Sequence, residues 1–207
     1  MRSVDFYFDF SSTNSYFAAF MLPEICARID ARVNWIPTHS AALFRGTGFD
    51  TMVMTPRKAR YLWRDHERYA ELTGLPFKKP SRFPIKTSSA LRAVLAAGQT
   101  AQADDGGASR EHAQRTISQA IMRAYWERDE DISRHEVLAS IASSAGFDGA
   151  RLIEAADAKS ARDELAALTE AAVARGVFGA PTFFVGDEMF WGKDRLDFVE
   201  RWLNRPE

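Results

Sequence analysis

Cysteine is almost missing from this 207-residue chain. The single residue, Cys26, excludes an intrachain disulfide and any Cys-x-x-Cys redox pair, and its place inside a helical run makes it a small core residue. No apolar run approaches the length of a membrane span, and Met1-Arg2-Ser3 passes straight into strand-like sequence without a signal peptide. A cytoplasmic protein with no membrane contact is expected. Neither sign of charge is in excess: Lys+Arg 27 against Asp+Glu 28 gives a net charge of -1, which leaves no nucleic-acid footprint at the whole-chain level. His39, His66, His112 and His135 are scattered without metal-ligand spacing, so no metal is expected. There is no P-loop, no dinucleotide fingerprint, no G-x-S-x-G elbow and no internal repeat.

What is present is an ordinary globular composition, 46% apolar and 27% charged, in a chain long enough for one large domain or one domain with an insertion. Val4–Phe8 alternates as a strand. The run Ser11-Ser12-Thr13-Asn14-Ser15 supplies cap residues before an apolar helix from Tyr16 to Ile29, and Arg32–Ile36 reads as a second strand closed by Pro37. Strand–helix–strand in this span implies a parallel pair with a right-handed crossover. The middle of the chain reads as helices: Arg57–Thr73 opened by Pro56 and ended by Gly74, then Ser88–Ala97, Arg110–Arg128, Ser133–Ser144, Asp148–Ala156 and Ser160–Arg175. Leu75–Pro84, with three prolines, is an extended connection, and Gly98–Ser109 reads as a polar loop. Ser133 and Glu136 have capping-box spacing.

The stretch from Arg175 to Leu196 organises the rest. Gly176 fits the left-handed position that ends a helix. Thr182–Val185 and Glu188–Trp191 are short β-prone runs joined by Gly186-Asp187, a hairpin turn with glycine first. Both strands are apolar on both faces, which predicts helices on each side of the hairpin. Gly192 leads into a final helix with Asp194 in its first turn. Removing the helical middle leaves β-α-β-α-β-β-α. The expected fold is α/β, thioredoxin-like with a large all-helical insertion, divided as 1–43, 44–170 and 171–207.

Each candidate site residue has a plain reading beside the functional one. Ser12 stands at a strand-to-helix junction. It is an N-cap there, and the same hydroxyl can donate to an anion held by the free N–H groups of the helix. Pro181 precedes a buried strand; if the Ala180–Pro181 bond is cis, the Ala180 N–H and C=O are unpaired and open to a peptide added as a strand. Lys58, in a helix first turn where a cation is unfavourable, hints at a ligand carboxylate or belongs to a solvated basic face. Lys193 and Asp194 carry the same two readings.

Read together, Asp5-Phe6-Tyr7-Phe8-Asp9-Phe10-Ser11-Ser12-Thr13-Asn14-Ser15-Tyr16, Gly176-Val177-Phe178-Gly179-Ala180-Pro181-Thr182-Phe183 and Gly186-Asp187-Glu188-Met189-Phe190-Trp191-Gly192-Lys193-Asp194-Arg195-Leu196 resemble the 2-hydroxychromene-2-carboxylate isomerase family. That family is related to the kappa-class glutathione transferases. The resemblance covers essentially the whole chain, with Pro56-Arg57-Lys58 and Glu130-Asp131-Ile132 also matching. It implies glutathione as cofactor. Ser12 then hydrogen-bonds the sulfur, Ala180 before a cis Pro181 pairs with the cysteinyl backbone, Lys193 and Asp194 meet the γ-glutamyl end, and Lys58 contacts the peptide. Thr13 stands where a proline usually follows the serine, and the loop Gly46–Thr55 lacks the asparagine that kappa enzymes present.

The implied activity is a glutathione-dependent isomerisation in aromatic-compound catabolism, on a small aromatic substrate, by a homodimer. The rivals are a kappa-like transferase that consumes glutathione and a glutathione- or peptide-binding protein without turnover. The lack of cysteine at positions 11 to 15 argues against disulfide exchange.

Overall fold

A computed structural model describes residues 2–45, 55–105 and 107–205, with nothing said of the side chains of 102–109. The loop from Gly46 to residue 54, where the sequence departs from the kappa pattern, lies outside the described residues. The chain runs β1 (Ser3–Phe8), α1 (Thr13–Arg28), β2 (Arg32–Pro37), α2 (Ser40–Leu43), α3 (Pro56–Thr73), α4 (Ser88–Asp105), α5 (Gly107–Trp126), α6 (His135–Ser144), α7 (Gly149–Asp157), α8 (Lys159–Ala174), β3 (Thr182–Val185) and β4 (Glu188–Trp191). A 3-10 turn, Lys193–Arg195, then leads into α9 (Leu196–Leu203). The sheet order is β2-β1-β3-β4, with β1 and β2 parallel and the other pairs antiparallel.

Strand alternation in β1 puts Val4, Phe6 and Phe8 fully inside on one face. There Phe6 stacks on Phe183 at 5.4 Å and meets Trp35 edge-on at 5.2 Å. Helix α1 is apolar over most of its surface because the sheet, α5 and α9 cover it, with Glu24, Ala27 and Arg28 left exposed toward its end. Pro23 inside it cannot donate to the Ala19 carbonyl one turn earlier. Gln119 of α5 fills that vacancy, its Nε2 donating to Ala19 O at 2.9 Å. The Leu75–Pro84 connection is extended as expected and contains a second cis bond, Phe83–Pro84.

Helix α8 ends in a Schellman motif: Gly176 (φ +93°) donates to Val173 O and Val177 to Ala172 O. Three local expectations need correction. The polar stretch from Gly98 is helical; α4 runs on to Asp105 because Gly98 lets Gln114 of α5 approach, a Cβ there meeting its side chain at 3.0 Å. Ser133 does not cap α6. Its hydroxyl turns back to Asp131 Oδ1, Arg134 takes the cap position, and Glu136 pairs with Arg134. The hairpin is covered on both sides only along β3, where Phe183 lies in the main core and Phe184 packs with Ala172 of α8 on the opposite face. Strand β4 is an edge, so Trp191 stays 52% exposed while Phe190 packs inward against Trp202 at 5.9 Å.

Candidate active site

The parallel strands β1 and β2 deliver their following loops to the same end of the sheet. There Asp9, 1% exposed, gathers three donors: Ser11 N at 2.9 Å and Ser11 Oγ at 3.0 Å on Oδ1, and Ser40 N at 2.8 Å on Oδ2. Its backbone carbonyl accepts from Ser12 N at 3.1 Å. The carboxylate thus fixes the turn that enters α1 and ties it to the start of α2. Sequence reasoning passed over Asp9. The signal was an Asp directly after a strand, where its carboxylate can accept from the N–H two residues on, as in an Asx turn.

Ser12 is the N-cap of α1, accepting from Ser15 N at 3.1 Å. Its hydroxyl also donates to the Ala180 carbonyl at 2.8 Å. The helix entrance and the proline loop, 168 residues apart in sequence, therefore share one oxygen. The Ala180–Pro181 bond is cis. One half of the expectation for Ala180 is corrected: its carbonyl is paired, because Ser12 reaches it. Its N–H has no partner among the described residues. The loop is held by Thr182 Oγ1 donating to Gly179 O at 2.7 Å and Gly192 N to Pro181 O at 3.0 Å. Gly179 lets the Trp191 indole lie close, since a Cβ there would stand 2.7 Å from Nε1 and the ring would have to shift.

The 3-10 turn packs on α1 and separates the two C-terminal candidates. Lys193 is buried, with its Nζ 4.0 Å from the Tyr69 ring centroid and 5.8 Å from that of Phe17. Among the described residues no carboxylate forms an ion pair with it. Burial pulls its pKa down, while Asp65 and Asp194 pull it partly back. Asp194 is exposed and lies 3.4 Å from Arg195 Nη2; it sits in the 3-10 turn, one turn earlier than the helix proper. It is close enough to Tyr69 to add to the burial that raises that phenol's pKa.

Helix α3 forms the outer wall. Thr55 caps it, accepting from Lys58 N at 3.3 Å, and the Lys58 side chain is exposed. Lys58, Asp65 and Tyr69, at i, i+7 and i+11, share one face of the helix. His66 contacts Phe17, Trp63 and Phe77 with ring centroids 6.4, 5.9 and 6.0 Å away. Its Nδ1 is buried without a partner. Burial, and then the Lys193 charge, depress its pKa to about 4, so it is neutral at pH 7. The structure thus joins Ser12 to Ala180 directly, and brings Lys193 under α3. Lys58 lies more than a turn further out. Cys26 is inert, its thiol pushed up to about 12 by burial and by Glu111 and Glu200. Among the described residues no cluster could hold a metal ion, and no helix is long and apolar enough to cross a membrane.

A thioredoxin-type sheet, a helix entrance beside a cis-proline loop and a covering set of helices define a class, and the chain belongs to it: the DSBA-like thioredoxin domain family matches residues 3–204. Serine, not cysteine, stands at that entrance. Within the class the chain belongs to the 2-hydroxychromene-2-carboxylate isomerase family, a family of enzymes. It is 31% identical to the 2-hydroxychromene-2-carboxylate isomerase of Sphingobium xenophagum over 205 residues, 98% of either chain. A solved structure of a 2-hydroxychromene-2-carboxylate isomerase superposes with a TM-score of 0.84 at 26% identity, covering 96% of this chain and 93% of that one. Glutathione S-transferase kappa 1 of Rattus norvegicus is 22% identical, over 98% of this chain and 93% of its own.

Proposed function

We propose that this protein is a glutathione-dependent isomerase that interconverts 2-hydroxychromene-2-carboxylate, or a close aromatic analogue, with the trans-benzylidenepyruvate. The observation that carries the reading is the Ser12 Oγ–Ala180 O hydrogen bond of 2.8 Å, which puts a helix N-terminus and a half-buried backbone donor side by side. The residues present fit the tripeptide: among the described residues the Ala180 N–H has no partner and the buried Lys193 ammonium has no ion pair. Ala180 and Pro181 would hold the cysteinyl unit, Lys193 and Asp194 the γ-glutamyl end, and Lys58 the outer side of the peptide.

Bound there, glutathione supplies a thiolate nucleophile that is regenerated at the end of the cycle. The N–H groups at the start of α1 and the helix dipole favour negative charge at that point. Ser12 adds a donor by rotating its hydroxyl from Ala180 O toward the sulfur while its lone pair keeps the Ser15 N–H. A thiol of ordinary pKa near 8.5 is only a few per cent ionised at pH 7, so one or two units of depression raise the nucleophile severalfold or more. Ring opening and rotation about the former double bond need no redox partner. A dimer acting in the cytoplasm on products of aromatic catabolism accords with this reading.

The test is product analysis. With 2-hydroxychromene-2-carboxylate and glutathione, both isomers should equilibrate and the free thiol titre should stay constant. Equilibration without glutathione overturns the cofactor, and a falling titre with an adduct formed makes the protein a transferase like its rat relative.

A further inference from the structure

We propose that the groove between α2, the start of α4 and one face of α8 binds the carboxylate-bearing part of a planar aromatic acid. The identity of that acid as the isomerase substrate rests on the reading above; the groove's affinity for an aromatic acid does not. The cavity measures about 620 Å3, in the range of small-molecule sites. Its lining begins at His39, just after the end of β2 that pairs in parallel with the end of β1 preceding Ser12. Its wall residue His39 precedes Ser40, and Ser40 N shares the Asp9 carboxylate with Ser11.

The walls are fixed. His39 N donates to Thr169 Oγ1 at 3.3 Å, and its Nε2 meets Ser88 Oγ at 3.1 Å, so α2, α8 and α4 are tied together. Arg92 is spent on the structure, donating to Ala156 O at 2.6 Å and pairing with Asp157 at 2.8 Å. The floor is one stripe of α8, in which Leu165, Ala166 and Val173 recur at helical spacing, with Val173 left 47% exposed. Arg162 stands on the same stripe one turn from Leu165 and Ala166, exposed, and forms no ion pair among the described residues. Arg45 lines the groove as a second unpaired cation among the described residues. Among the described residues the one carboxylate lining it is Glu170, eight residues from Arg162 and about 12 Å along the helix, too far to neutralise it by contact.

An apolar floor with a guanidinium at one end that pairs with no carboxylate among the described residues matches an aromatic ring with a carboxylate, which Arg can take through two parallel hydrogen bonds. Chromene carboxylates and simpler aryl acids share that chemistry. The probe is salicylate, with salicylamide as its uncharged counterpart, titrated calorimetrically into the intact protein. Salicylate should saturate at millimolar concentration or below, and salicylamide should bind at least about tenfold more weakly. Arg162→Gln should weaken salicylate by about tenfold or more while glutathione binds as before. Ala166→Glu, at an exposed position one turn from Arg162, should abolish salicylate binding by pairing with that guanidinium. In turnover the Arg162→Gln loss should appear in KM. If salicylate binds in this charge-dependent way and glutathione does not bind at all, the groove stands and the isomerase reading falls. Absence of saturation, equal binding of the amide, or an Arg162→Gln protein that binds salicylate like the parent overturns the proposal.

Discussion

The turn that enters α1 and the helix α3 that lies over it form two walls of the candidate site by opposite means. In the inner wall polar atoms are matched pair by pair: Asp9 takes Ser11 and Ser40, and Ser12 takes Ser15 and gives to Ala180. In the outer wall no residue of α3 is fully buried, and the helix leans on aromatic rings, Trp63 and His66 on Phe77, and His66 and Tyr69 on Phe17. Directional bonds fix positions to a fraction of an ångström, whereas apolar contact tolerates sliding and exchange. The inner wall is suited to hold a reacting atom, the outer wall to admit a ligand and adapt to it.

Breaking the inner wall at Asp9 should have the largest effect. Asp9→Ala strands the buried Ser40 N–H and the half-buried Ser11 N–H; at about 1–3 kcal/mol for a buried group left unpaired, and less for the half-buried one, the loss should be roughly 2–4 kcal/mol. Urea unfolding measures it. A loss well below about 1 kcal/mol would mean that the turn is fixed by packing and not by this carboxylate.

The outer wall should show itself in acid. The folded-state pKa of His66, about 4, lies below its unfolded value near 6.5, so the folded state prefers the neutral ring. The unfolded chain takes up the proton first. The His66 contribution is therefore complete above pH about 6.5 and is lost as pH falls toward 4, with on the order of 2–3 kcal/mol at stake. In His66→Gln this part of the acid destabilisation should vanish when unfolding midpoints are compared at pH 7 and pH 4.5. Lys193→Met should narrow the window from below by removing the second cause of the shift. An unchanged pH profile in His66→Gln would show that the ring is not excluded from water.

Legibility in the sequence divides along the same line. The inner wall was written in local signals: alternation in Val4–Phe8, a cap cluster at Ser11–Ser15, a Gly176 stop and the Ala180–Pro181 pair, all short-range features with fixed stereochemical meaning. The helical regions from Pro56 onward could be read from their periodicity, but the short α2 and the end of α4 could not. Gly98 reads as a breaker in isolation, and only the approach of Gln114 shows why it is tolerated in a helix. What the sequence hid was mostly long-range. The Ser12 to Ala180 bond spans 168 residues, and the exposure of Trp191 follows from β4 being an edge, a property of the whole sheet. The identical letter Lys at 58 and 193 gave no hint that one would be solvated and the other buried.

Ser12 sharpens the comparison because it belongs to the inner wall twice, as a cap and as a donor. Ser12→Ala should cost about 1 kcal/mol for the cap. Separately, it should raise the thiol pKa of bound glutathione by about one to two units, the worth of a charge-assisted hydrogen bond, since the N–H groups of α1 remain. Titrating the thiolate absorbance of the complex separates the two. Lower stability with an unmoved thiol pKa would leave Ser12 a cap and nothing more.

The smallest effect is expected at Lys58, and its value lies in the contrast with Lys193. Lys58 is exposed, so Lys58→Ala should change stability by no more than about 0.5 kcal/mol. Its pull on a ligand carboxylate passes through water and is screened within about 8–10 Å at physiological salt. Glutathione affinity should therefore fall only about two- to threefold at low ionic strength, and the difference should close as salt is added. Lys193, desolvated over Tyr69 and Phe17, is screened far less; Lys193→Met should weaken glutathione by about tenfold or more, with little relief from salt. The two titrations at two salt concentrations decide which cation is part of the site. Equal losses with equal salt dependence would mean that Lys193 acts through the general field of the protein, and the γ-glutamyl carboxylate would have to be placed elsewhere.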